Sequence, residues 1–204
     1  QPYNPATTWE KVENGNIGLD FGLFQNKLAG GIDVYQRTTR DMLGPTQDIA
    51  DMYGGTPPLS NNASLRTRGF ELSVNWNDNI GSKISYNMFA NLSNNKSEVT
   101  QYQNETKTDP ANSWYVGKVV GEIWGYSASG LIQTQKEADD YNQLDLSYLT
   151  GVKWKPGDVK YVDLNHDGKI NNGNNTLANM GDMKIIGNSS PRYAYSFGGT
   201  INYK

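Results

Sequence analysis

At 204 residues the chain has the length of one ordinary domain, yet its hydrophobic share of 36% and charged share of 19% fall below the roughly 45–50% and about 25% of globular chains. Asn, Ser, Thr, Gln, 22 Gly and 13 Tyr fill the difference, which is partly definitional because glycine counts as apolar in the usual figure. A net charge of −3 offers nothing basic to a nucleic acid, aromatics at 11% argue against disorder, and no run approaches the ~18 apolar residues of a transmembrane helix.

Zero Cys excludes disulfides and thiolate metal sites. No charged segment followed by an apolar core reads as a signal peptide. The single histidine, His166, leaves little for acid–base chemistry, and the glutamates are too scattered for a glycosidase pair, so an enzyme is not expected.

Period-two alternation is the strongest signal along the chain. Over 15–24, Ile17, Leu19, Phe21 and Leu23 share one face, with Gly18, Asp20 and Gly22 on the other. After a tight turn at 25–27, Leu28, Gly30, Ile32 and Val34 alternate with Ala29, Gly31, Asp33 and Tyr35 in a strand over 28–42. A second hairpin joins strands over 65–77 and 83–95 through a turn at 78–83. Here Phe70, Leu72, Val74 and Trp76 oppose Glu71, Ser73 and Asn75, and Ile84, Tyr86, Met88, Ala90 and Leu92 share a face. A fifth strand over 191–204 places Tyr193, Tyr195, Phe197, Ile201 and Tyr203 together.

The connections alternate in size. Those at 25–27 and 78–83 are short, whereas 43–63 and about 97–190 are far longer than the median of about 4–6 residues in compact domains. Long strands joined by alternately short and long connections form the pattern of an outer-membrane barrel, with lipid on one face and a wet lumen on the other. Phe24, Tyr35, Trp76 and Tyr203 would then suit interfacial girdles, and Asp20, Asp33, Glu71, Ser73, Asn75, Asn87 and Asn91 would face the lumen. A soluble or secreted antiparallel β-module with one solvated face, binding carbohydrate or calcium, gives the same alternation. The loop asymmetry favours the barrel.

Within the long insert, 113–134 holds short β-like pieces broken by glycine, and 135–141 suits a helical turn or two. Its aromatics (Tyr102, Trp114, Tyr115, Trp124, Tyr126, Tyr141), with Tyr53 of the first long loop, read as small loop cores or as sugar-stacking platforms. One stretch resembles the front of a calcium loop: Asp163, Asn165 and Asp167 supply oxygens at positions 1, 3 and 5, Gly168 the sharp turn, and Lys169 a backbone oxygen. Position 12 is Asn174 instead of a bidentate acid, which predicts weak calcium binding or an Asx-rich turn, with Asp182 a substitute ligand if the loop folds back. No cofactor is otherwise required.

Five ordered motifs carry a resemblance: Thr8-Trp9-Glu10 with the strand 16–24 and Thr39–Leu43; RTRGFELSVNW at 66–76; GEIWGYSASGLIQTQKEADDY at 121–141; the segment 155–176; and 185–204. They resemble SusC-like TonB-dependent outer-membrane transporters of Bacteroidetes, over nearly the whole chain. The resemblance implies an all-β fold, an antiparallel up-and-down meander of about five long strands. That meander would be a segment of a barrel of about 22 strands with a plugged lumen and long irregular extracellular loops. It implies nutrient uptake, the import of glycans or peptides, with the TonB system and a SusD-like surface lipoprotein as partners. Against the family's pattern the chain reads as a slice without the plug domain. Since open sheet edges in lipid cost several kcal/mol per unpaired group, the isolated segment is expected to misfold or aggregate.

Overall fold

The computed structural model describes residues 7–43 and 59–204. In chain order the elements are β1 (Lys11–Leu23), β2 (Leu28–Leu43), β3 (Asn61–Ile80), β4 (Ile84–Gln101), β5 (Glu122–Tyr126), β6 (Ala128–Leu131), α1 (Gln135–Tyr141), β7 (Val159–Tyr161), β8 (Met183–Asn188) and β9 (Tyr193–Tyr203). They form two units: the chain up to Tyr102 with Ser190–Lys204, and Gln103–Ser189.

The first unit is one antiparallel sheet in the order β1-β2-β3-β4-β9. The meander is therefore as expected, and its five strands do not close on themselves. Register converts the alternation of each strand into continuous rows. Leu19 pairs with Ile32, Ile32 with Leu72, Leu72 with Leu92, and Leu92 with Tyr195. The next row is polar throughout: Asp20, Gly31, Ser73, Asn91 and Ser196. One face is thus apolar across all five strands, and its large side chains stand in the open, Ile17 at 82% and Phe197 at 80% exposure. A soluble sheet would bury that face.

The strands are longer than the alternation suggests. β1 begins at Lys11, β3 at Asn61, and β4 runs on to Gln101. The added residues pair antiparallel, with a register shift between Ser64 and Leu65, and apart from a few such as Ala63 and Val99 carry polar side chains on both faces, so no period of two marks them. The turns differ from the expected ones in opposite senses, the first a residue longer than 25–27 and the second shorter than 78–83. One occupies 24–27, with Phe24, Gln25 and Asn26 at φ 54°, 60° and 64°, and the other is 81–83 with Gly81 at φ 64°. The first long connection, expected over 43–63, falls mostly on residues 44–58, outside the described residues, as does Tyr53. Asn61 at its far side belongs to β3, and its side-chain amide mimics a strand partner for Thr8, donating to Thr8 O at 2.9 Å and accepting from Thr8 N at 2.8 Å.

Three cross-strand pairs lay an aromatic ring over a glycine: Phe21 over Gly30, Tyr35 over Gly69, and Phe89 over Gly198. Any Cβ on these glycines would meet the ring at 2.8 Å or less, so the glycines make room for the rings and pin the register. Tyr35 is a correction to the expected girdle. It shares the polar face with Asp33 and lies across Gly69, because residue parity in β2 turns it away from Val34. Phe24 and Trp76 do meet at the short-turn end, ring centroids 6.2 Å apart, and Trp76 Nε1 donates to Tyr86 Oη at 3.2 Å.

The second unit, within the long connection expected over about 97–190, carries the short β pieces and the helical turn expected there. It has its own core of Ile132, Ala138, Tyr141, Leu146 and Ile170, with Tyr126, Trp154 and Tyr161 packed against it. Two small sheets, β5-β8 and β6-β7, frame it. α1 coincides with the expected helical stretch. Thr134 caps it, accepting from Glu137 N at 3.2 Å, while Glu137 reaches back to Gln133 N at 2.9 Å, a variant of the capping box.

Candidate functional site

The polar face of the five-stranded sheet concentrates the groups able to meet a solute. Asp33 stands directly across from Gly18 and extends its carboxylate over it, since a Cβ on Gly18 would lie 2.3 Å from Asp33 Oδ1. Asp20 does the same over Gly31 at 2.7 Å. Glycine on one strand therefore lets a carboxylate lie flat along the wall from the next. Glu71 pairs with Asp33 on the other side, so acidic groups neighbour each other on three strands. Beyond them the wall turns to neutral donors and acceptors. Asn91 Nδ2 donates to Ser196 Oγ at 3.0 Å, and Asn87 donates to Asn77 at 2.7 Å and to Asn75.

These residues line an open trough of about 450 Å³ edged by Asp33, Glu71, Ser73, Asn91, Ser93 and Ser196. Of the residues the sequence assigned to the lumen, Asp33, Glu71, Ser73 and Asn91 meet here. Asp20 flanks the trough through Gly31, while Asn75 and Asn87 lie nearer the short turns. Ser93 and Ser196 were missed as site residues, although the same parity in β4 and β9 points to them. The chemistry is that of hydroxyls, amides and carboxylates for hydrogen bonding a polar solute. No nucleophile–base pair is present among these trough residues.

In the second unit most of the loop aromatics serve structure. Tyr115 and Tyr141 are buried, and Tyr126–Tyr161, Tyr141–Trp154 and Trp154–Tyr161 pack with centroids 5.7, 6.0 and 5.7 Å apart. Burial pushes the Tyr126 phenol up to about 12. Tyr115 is pushed up further, by burial and by its hydrogen bond to Glu122 Oε2 at 2.9 Å. Lys118, not singled out from the sequence, is buried and donates to the carbonyls of Pro110 (2.7 Å), Ala111 (3.3 Å) and Ser113 (2.8 Å). Burial lowers its ammonium below the usual lysine range, partly offset by the Glu122 and Asp109 carboxylates.

The acidic loop is organised by its own backbone. Asp163 Oδ2 accepts from Gly168 N at 2.9 Å, Asn165 Oδ1 from Asp167 N at 3.1 Å, and Asp167 Oδ1 from Lys169 N at 2.9 Å. Asp182, fully buried, does return to the loop, but its oxygens take Leu164 N at 2.7 Å and Asn171 N at 2.9 Å. His166 is exposed there with φ 59°. Among the described residues no group of three or more His, Cys, Asp or Glu stands ready for a metal, and Asp163 Oδ1 is the oxygen of this loop left buried without a hydrogen bond.

Comparison with known proteins bears on the apolar face and the polar trough together. The chain is 24% identical over 212 residues to TonB-dependent receptor P3 of Formosa agariphila, a match covering 98% of this chain and 20% of that protein. It is 26% identical over 182 residues to TonB-dependent receptor SusC of Bacteroides thetaiotaomicron, covering 84% and 17%. The chain thus spans about a fifth of the length of the curated relatives it matches. The RagAB peptide importer in its open-open state shares the fold, with a TM-score of 0.66 at 20% identity over 98% of this chain and 20% of that one. The family model for TonB dependent receptor-like β-barrels matches residues 1–203. A sheet with an apolar outer face and a wet inner one is what such a barrel needs in an outer membrane, and this chain belongs to the TonB-dependent receptor-like β-barrel family.

Proposed function

We propose that this segment forms wall and outer surface of an active transporter that imports glycans or peptides across the outer membrane. The observation that carries the reading is the five-strand division into an apolar face and a polar face lined by Asp33, Glu71, Ser73 and Asn91. Along β9 the apolar positions run from Tyr193 to Tyr203, ten steps of about 3.4 Å. At a strand tilt of about 40° that is roughly 26 Å of height, matching the ~25 Å apolar band of outer-membrane barrels. The soluble β-module alternative would leave this band in water, an apolar patch far beyond what a soluble monomer tolerates.

In this reading the short turns face the periplasm, and the long connections, including the 103–189 unit, face outward. The energy would come from a TonB system acting through parts of the protein outside this chain, and a SusD-like lipoprotein would assist capture. Likeness to SusC and to the RagAB importer supports nutrient import, and the peptide class enters by likeness to RagAB. The test is uptake of fluorescent oligopeptides and oligosaccharides by cells carrying the full-length protein. One class should accumulate and lose accumulation when TonB is deleted; TonB-independent uptake, or uptake unchanged by deleting the transporter, would overturn the reading.

A further inference from the structure

The apolar face does not run the full height of the sheet. Its last row on the long-connection side is Ile17, Val34, Phe70, Asn94 and Tyr193. One row further, on the same face, Gln36, Arg68 and Lys96 stand side by side, and Arg68 pairs directly with Lys96. Like charges directly opposite in an antiparallel pair repel, so this row is at odds with an unliganded sheet. The other cations of this outer face are matched to acids. Lys11 pairs with Asp41 at 2.9 Å, Arg40 with Glu13 at 3.0 Å and Arg66 with Glu98 at 3.7 Å. Among the described residues no carboxylate lies within ion-pair distance of Arg68 or Lys96.

A third cation, Arg192, stands one row away at a position of polar-face parity and reaches the outer face through the Tyr193 ring. Arg192 precedes β9 opposite Asn95, whose amide donates to its carbonyl at 3.1 Å, and its guanidinium lies over the outward Tyr193 ring, 5.9 Å from the centroid. Gln36 Oε1 holds Arg68 Nε at 2.7 Å, which orients the guanidinium and leaves its terminal nitrogens for another acceptor. All three cations are exposed.

We propose that Arg68, Lys96 and Arg192 bind the phosphate of a lipid headgroup in the outer leaflet. Position selects the occupant. Two residues beyond the last apolar row is about 7 Å along a strand and about 5 Å in depth once tilt is applied, inside the roughly 5–7 Å headgroup layer. A phosphate there neutralises the repulsion between Arg68 and Lys96 and takes the guanidinium fork in a geometry that suits it. The inference rests on the apolar face meeting lipid, which the Val74 and Ser73 variants discussed below test separately.

The experiment is native mass spectrometry of the full-length transporter in detergent, titrated with dioleoyl phosphatidic acid, with dioleoylglycerol as the phosphate-free twin. R68Q/K96Q/R192Q should bind phosphatidic acid about a hundredfold more weakly, given roughly fivefold per basic residue near a membrane surface. K11Q/R40Q, which removes cations already matched to acids, should change binding less than threefold. R68K/R192K, which keeps the charge but not the guanidinium fork, should bind more weakly than wild type and clearly more tightly than the triple variant, showing that the barrel tolerates substitution there. Equal binding by wild type and the triple variant overturns the proposal. So does displacement of the lipid by equimolar inorganic phosphate, which would make this a free-anion site.

Discussion

Placing an arginine at Val74 distinguishes a lipid-facing from a water-facing surface most directly. Val74 lies in the row Phe21, Gly30, Val74, Ala90 and Phe197, halfway down the apolar span of β9. Its neighbour Ser73 points to the other face and lines the trough. An arginine on the lipid face of a barrel costs about 2–4 kcal/mol at the midplane and about 0–1 near the interface. Val74→Arg should therefore destabilise the full-length barrel by about 2–4 kcal/mol, a 30- to 700-fold shift in the unfolding constant. Ser73→Arg, one residue away and of greater added bulk, should cost less than about 1 kcal/mol, and Asn94→Arg, outward but in the edge row, should fall at the low end of the interfacial range. The measurement is urea unfolding in phosphatidylcholine vesicles, followed by tryptophan fluorescence and heat-modifiable gel mobility. A Ser73 variant as damaging as the Val74 variant would refute the assignment of faces.

Other expectations concern the 103–189 unit and the sheet's glycines. Lys118→Met removes three charge-assisted bonds to carbonyls and should loosen 109–118 by roughly 3 kcal/mol, read as about a hundredfold faster amide exchange at Asn112 and Ser113; unchanged exchange would show that Lys118 does not hold this loop. Glu137 is held below the usual carboxylate range, first by its hydrogen bond from Lys160 and then by the Gln133 amide. A lowered folded value means its stabilisation is present above pH about 4.3 and is lost as pH falls through the folded value, so Gln133 amide exchange should accelerate in acid in wild type and lose that dependence in Glu137→Gln. Gly69→Ala brings a Cβ to 2.4 Å from Asn94 O and 2.6 Å from the Tyr35 ring, and should cost about 1–3 kcal/mol in the same urea assay; a neutral result would mean the strands shift freely. Calcium up to the ~1 mM of weak extracellular sites should leave the melting temperature unmoved, because Asp163 Oδ2, Asn165 Oδ1 and Asp167 Oδ1 already accept loop amides. A rise abolished by Asp163→Asn would establish a metal site instead.

The membrane-height portion of each strand was legible because one face there is apolar and the other polar, which is what period-two reading detects. Lys11–Asn14, Asn61–Ser64 and Lys96–Gln101 escaped it because polar side chains stand on both faces there, Glu13 and Glu98 on one and Asn14 and Ser97 on the other. Tyr35 was misplaced although the alternation already set it with Asp33 opposite Val34, because its face follows from that parity and not from being an aromatic near a strand end. The lumen candidates Asp33, Glu71, Ser73 and Asn91 were legible individually. Their meeting in one trough depends on register, which turn length fixes and composition does not. The second unit stayed hidden for a different reason: Ile132, Leu146 and Ile170 come from separate turns and short strands with no shared period.

The position of the 103–189 segment between β4 and β9 bears on how such a protein can change. Those two strands are hydrogen-bonded neighbours over Ile84–Asn94 and Tyr193–Tyr203, so the chain leaves the sheet and re-enters it at the adjacent strand. The excursion carries its own hydrophobic nucleus and contributes nothing to the strand pairing of the five-stranded sheet. Closing a longer or shorter loop at that junction changes the entropy of the chain only logarithmically. Selection can therefore trade one such module for another at this seam while the paired strands, and the pitch at which they stack, are inherited intact.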